Sequence, residues 1–131
     1  MEHLITDVDM NLVMLRSVDL ERALRFYAAL GIALSREQHG SGPEHLAATI
    51  GTLVLEIYPQ GSADKTVGVR LGFRVKSLVT TIARLQAIEG VIVSPMQESK
   101  WGLRAVVSDP DGHRLELVEG QAAHDSLRLA E

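Results

Sequence analysis

Apolar and polar positions along the chain switch between two periods, and the switches mark the elements. Leu12-Val13-Met14-Leu15-Arg16 is apolar on both faces until Arg16 and reads as a strand. Asp19 then offers an N-cap. Leu20, Leu24, Tyr27 and Leu30 follow at helical spacing, with Ala23 and Phe26 beside them, and Gly31 stands at the usual stop. Two weaker strands are predicted at about 32–38 and 45–50, separated by the loop signal Gly40-Ser41-Gly42-Pro43. Leu53-Val54-Leu55-Glu56-Ile57-Tyr58 is a further strand, ended by Pro59 and Gly61.

The second half repeats this order. Val69 to Val75 alternates with Leu71, Phe73 and Val75 on one face. Ser77 is the next N-cap, Leu78, Ile82 and Leu85 form a helical stripe, and Gly90 is expected to close the helix. Strands are predicted at about 91–97 and 103–108. Asp109-Pro110-Asp111-Gly112 is a turn: the aspartate can bond back to the backbone, proline presets φ, and glycine tolerates the exit geometry. Arg114-Leu115-Glu116-Leu117-Val118 is the last strand. Residues 1–10 read as a short arm or disordered, and 120–131 as a polar tail with at most a short helix.

The two halves stay in step. Asp19 to Ser77 is 58 positions, Gly31 to Gly90 is 59 and Glu56 to Glu116 is 60, and Leu55-Glu56-Ile57 matches Leu115-Glu116-Leu117. A repeat of this size cannot bury its own sheet face, so repeat 1 (about 11–61) and repeat 2 (about 67–119) are expected to combine in one domain over 1–131.

Composition narrows the function classes. The chain has 131 residues, 46% hydrophobic, with a formal charge of −4, and its 13 basic residues are scattered, so nucleic acid is not an expected partner. It has no cysteine, which excludes disulfides and thiolate metal sites. The N-terminus lacks a signal pattern, and no apolar run approaches the length of a membrane span. A cytoplasmic protein without membrane contact is the default expectation.

Three stretches, LRSVDLERALRFYAALG (15–31), LVLEIYPQG (53–61) and SDPDGHRLELVE (108–119), resemble the vicinal oxygen chelate superfamily of glyoxalases, bleomycin resistance proteins and extradiol dioxygenases. The resemblance covers roughly 12–119. It implies an α+β fold of two βαβββ modules, curved sheets around a concave cleft, and a homodimer. In metal-dependent relatives four strand positions supply ligands, and these map to Leu12, Glu56, Arg70 and Glu116. The glutamates match. Leucine has no donor atom, and a guanidinium cannot be deprotonated to coordinate. No tight metal cofactor is therefore expected, and a divalent ion (Zn, Ni, Mn or Fe) would have Glu56 and Glu116 as its protein ligands.

Strand parity sorts the faces. If Leu55, Ile57, Leu115, Leu117, Leu71 and Phe73 face the helices, then Val54, Glu56, Tyr58, Arg114, Glu116, Val118, Arg70 and Arg74 face the cleft. Leu12, Met14 and Arg16 join them from the first strand, and His45 from the third. Candidate catalytic residues are Glu56 and Glu116; candidate substrate contacts are Arg70, Leu12, Met14, Tyr58 and Arg74. Arg70 between two glutamates could clamp a substrate carboxylate or phosphate with one glutamate as general base, or pair with a glutamate in place of a lost metal. A carboxylate-bearing cleft would equally suit a cationic guest. His113 is expected to pack or cap, His39 and His45 to be exposed beside a loop, and Trp101 to line a rim or a dimer contact. The first reading is a protein binding a small organic molecule without a tight metal. The alternatives are a metal-dependent lyase, isomerase or dioxygenase, and a non-catalytic drug-sequestering resistance protein.

Overall fold

The structure, a computed structural model, describes residues 7–120. Most of the predicted arm and the polar tail lie outside them. The described elements follow the predicted order: β1 Leu12–Ser17, α1 Leu20–Leu30, β2 Ser35–Glu37, β3 His45–Ile50, β4 Leu53–Pro59, β5 Arg70–Val75, α2 Leu78–Ala87, β6 Val91–Ser99, β7 Gly102–Ser108 and β8 Arg114–Glu119. Each half builds its own four-stranded mixed sheet, ordered β1-β4-β3-β2 and β5-β8-β7-β6. The first strand of each half pairs parallel to the last, and the other pairs are antiparallel.

The registers of the two modules superpose. Met14 and Ala47 flank Glu56 on either side, and Gly72 and Val106 flank Glu116 in the same way. Offsets of 58 between β1 and β5, 59 between β3 and β7, and 60 between β4 and β8 therefore describe one pairing scheme. The length changes fall in the connections.

Local chemistry sets the helix ends. The Asp19 side chain accepts from Arg22 N at 3.1 Å, and Gly31 takes a left-handed φ of 114° that lets its N–H reach back to Tyr27 and Ala28. Ser77 accepts from Thr80 N at 3.2 Å, and Glu119 reaches across from β8 to accept Leu78 N at 2.8 Å. Ser77→Ala is expected to lower stability by about 1 kcal/mol, read as a lower urea midpoint at unchanged slope. Gly90 does not end α2 as expected. Ile88 is the cap, and Glu89 takes the left-handed conformation at φ 61°. Glycine is needed at 90 for a different reason: a Cβ there would stand 2.9 Å from the Leu85 carbonyl oxygen.

One hydrophobic cluster joins the modules. Leu15, Tyr27, Leu55 and Ile57 from the first share it with Leu78, Leu85, Leu115 and Leu117 from the second, all buried, and α1 packs on α2. Full burial of each such side chain stabilises by about 1.5–3 kcal/mol. A polar seam crosses the same boundary. Asp109 Oδ1 accepts the backbone N–H of Asp111 and His113 at 3.0 and 2.9 Å. Its Oδ2 accepts the Tyr27 hydroxyl and His113 Nδ1, both at 2.7 Å. His113 Nε2 meets Thr66 Oγ1 at 2.6 Å, and that hydroxyl also accepts Arg16 N at 3.0 Å. Asp109 Oδ2 can only accept, so His113 Nδ1 donates to it. Asp111 extends the seam by accepting Val18 N at 2.9 Å. His113 thus packs and bridges, as its parity implied.

Candidate functional site

The helix-facing parity holds: Leu55, Ile57, Leu115 and Leu117 are buried, while Glu56 and Glu116 lie half-buried on the opposite, outer faces. The two glutamates stand on different sheets, each in its own ionic neighbourhood.

On the second sheet Glu116 is the hub. Its Oε2 accepts from Arg104 Nη2 at 2.6 Å, and Arg70 Nη1 lies 3.7 Å from the same oxygen. Arg70 reaches Glu116 from a strand three earlier in sequence and adjacent in space, as strand order β5-β8 requires. The tighter partner, Arg104, escaped the sequence reading. A signal existed: β7 and β8 form a hairpin around the Asp109 turn, and counting back from it sets Arg104 opposite Val118 and two residues from Val106, Glu116's neighbour. Arg74 and Arg114 share this outer face by parity and are exposed.

On the first sheet the outer face carries Leu12 and Met14, both exposed, with Glu56 and Tyr58 beside them. Tyr58 stacks on His45 with centroids 4.1 Å apart and planes 7° from parallel, and the Arg16 guanidinium lies 5.6 Å from the tyrosine centroid. His45 stands on the expected face, but the expectation that it is exposed is wrong: it is 1% exposed, because the Tyr58 ring covers it and β2 runs alongside. His39 is exposed as expected, its ring 5.2 Å from that of His45. Trp101 sits in the β6–β7 turn with its backbone N–H on Ser99 Oγ and Lys100 Nζ 4.8 Å from its ring.

The four positions that the resemblance assigns to a divalent cation do not fit one. Leu12 brings no donor, and two guanidinium groups already surround Glu116. An added cation there would replace a 2.6 Å charge-assisted bond and face two positive charges. Glu56, on the other sheet, has the His45 ring as its ionic neighbour at 4.0 Å.

The chain has clear relatives. It is 29% identical over 127 positions to a probable lactoylglutathione lyase of Vibrio cholerae, with 87% of this chain and 92% of that protein covered. Its fold is similar to that of TnmS3, an antibiotic binding protein from Streptomyces sp. CB03234, at a TM-score of 0.71 and 25% identity over 89% of this chain and 99% of that one. A glyoxalase-related enzyme from Fulvimarina pelagi shares the fold at a TM-score of 0.67 and 24% identity, covering 86% and 88%. The model of the Glyoxalase/Bleomycin resistance protein/Dioxygenase superfamily matches residues 9–117. The chain belongs to that superfamily.

Proposed function

We propose that the chain binds a small organic molecule on the outer faces of its sheets, with Arg104 and Arg70 anchoring an anionic group and Tyr58 offering an aromatic surface. The observation that carries this reading is the Arg104–Glu116–Arg70 cluster, with contacts of 2.6 and 3.7 Å where a metal enzyme would hold its ion. One carboxylate beside two guanidinium groups leaves net positive charge, so an anion suits this face better than the cationic guest that a carboxylate-bearing cleft suggests. Similarity to an antibiotic binding protein supports binding of a small organic molecule.

Catalysis of the lyase type is the second reading, favoured by the similarity to a probable lactoylglutathione lyase. Glu116 would then act as a base only after surrendering its bond to Arg104. The apolar residues Leu12, Met14, Val93 and Met96 are exposed, and a second copy of the chain covering them fits the proposal, as does a cleft shared between copies. Light scattering coupled to size exclusion tests the dimer.

The binding reading is tested by thermal-shift screening of flat aromatic carboxylates in the presence of chelator. A hit is expected to lose about 1.5–3 kcal/mol of binding on Arg104→Gln, read by calorimetry. Binding that appears only with added metal, or that ignores Arg104→Gln, would remove this reading.

A further inference from the structure

The two modules differ most at positions their shared register makes equivalent. Glu37, His45 and Glu56 of the first correspond to Gln97, Arg104 and Glu116 of the second, by offsets of 60, 59 and 60. In the second module the chain supplies its own cation, Arg104, against Glu116 at 2.6 Å. In the first the arginine is replaced by His45 and the glutamine by Glu37, and His39 follows in the loop after β2.

His45 Nε2 is buried and has no hydrogen-bond partner. Glu37 Oε1 lies 3.7 Å away and Glu56 Oε2 4.0 Å away, both beyond hydrogen-bond reach. His39 Nε2 is 3.4 Å from the same Glu37 oxygen, and the ligand atoms of Glu37, His39 and His45 all lie within 4.8 Å of one another. A buried polar nitrogen left unsatisfied destabilises the fold, so its persistence between two carboxylates calls for an occupant.

We propose that Glu37, His39 and His45 form a binding site for a divalent first-row transition cation, with Glu56 as the nearby second carboxylate. The Pro43 carbonyl lies 3.2 Å from His45 Nδ1 and accepts its proton, which leaves the Nε2 lone pair directed at the carboxylates. That tautomer is the one a metal-bound imidazole uses. A tetrahedral ion with bonds of about 2.1 Å separates its ligands by about 3.4 Å, close to the 3.4 and 3.7 Å found at Glu37. Two imidazoles and a carboxylate suit zinc and its neighbours rather than calcium or magnesium. Two carboxylates balance the charge of the ion.

The loop between β2 and β3 is arranged to present His39. Gln38 Nε2 donates to the Gly42 carbonyl at 2.8 Å, and Gly42 N donates to the His39 carbonyl at 2.9 Å, so the loop closes on itself around Gly40 at φ 58°. Asp109, Asp111 and His113 also cluster, yet there the Asp109 oxygens and both His113 nitrogens already have partners, and Asp111 already accepts Val18 N.

The test is a titration of the chelator-stripped full chain with zinc alone, against a competing chromophoric chelator. One zinc per chain is expected, with a dissociation constant of about 10 µM or tighter. His39→Ala and Glu37→Gln are each expected to weaken it at least about tenfold. His39 is 71% exposed, so its variant should keep the wild-type melting curve without zinc. Nitrogen-15 NMR of the imidazoles should show zinc shifting His45 Nε2 while Nδ1 keeps its proton. Glu116→Gln should leave zinc affinity unchanged, which separates this site from the second-sheet anchor: organic-ligand binding can fail there without touching the zinc result. Absence of saturable binding up to about 1 mM zinc, binding indifferent to His39→Ala, or binding lost on Glu116→Gln would each overturn the proposal.

Discussion

Replacing Asp109 with alanine is expected to destabilise the fold by about 3–5 kcal/mol, measured by urea unfolding at neutral pH. Its four partners explain the size. The side chain is nearly fully buried and accepts two backbone N–H groups, the Tyr27 hydroxyl and His113 Nδ1. Alanine orphans all four donors inside the core. The same contacts set a pH dependence. Burial alone would raise the Asp109 carboxyl, but the hydrogen bonds from His113 and Tyr27 and the nearby His113 ring outweigh it and hold it below its ordinary value. A depressed carboxyl contributes stability above the unfolded value of about 3.9, and that contribution disappears as pH falls through the folded value. Tyr27 is pushed well above its ordinary value, first by burial and then by the charge of Asp109. Its contribution is present below about pH 10 and is lost as pH rises through the higher folded value. Wild-type stability should therefore decline below about pH 4, while the Asp109→Ala variant should show a flatter acid limb. An unchanged acid limb, or a loss under about 1 kcal/mol, would show that the seam contributes little.

Gly102→Ala carries the second large expected effect, roughly 3 kcal/mol of stability. Gly102 has φ 118°, and a Cβ added there would press directly onto the Glu119 carbonyl oxygen. That oxygen is backbone, so relief requires shifting the end of β8. The Glu119 side chain caps α2 through Leu78 N, and Arg104 follows two residues after the glycine, so the strain should reach both the helix start and the Arg104–Glu116 contact. Gly40→Ala is the control. Gly40 also has positive φ, at 58°, but meets nothing within 4 Å, so only the backbone penalty of about 1–2 kcal/mol applies. Equal midpoints for the two variants in urea would refute the clash at Glu119.

Much of this architecture is written in local patterns. Asp19 and Ser77 cap where their residue types suggest, and the alternation around Glu56 and Glu116 places both on outer faces. What escaped depends on neighbours far along the chain. Local propensity points to Gly90 rather than Glu89 as the left-handed residue, and the close approach of Leu85, which reserves position 90 for glycine, is what the local pattern does not show. His45 sits beside a loop-forming stretch, and its burial comes from a tyrosine thirteen residues later in sequence but one strand away. Arg104 needed the hairpin register before its face could be read. Asp109 was legible as a turn residue, whereas its hold on Tyr27, 82 positions away, was not.

The seam also bears on how the chain is made. Its donors Tyr27 and Val18 emerge early, but their acceptors Asp109 and Asp111 come 82 and 93 residues later. Until the last hairpin leaves the ribosome, the first module holds a phenol destined for the core without its acceptor. Premature stops before Asp109 therefore yield nascent chains that expose apolar surface to chaperones and proteases, and synthesis of the final hairpin completes the fold.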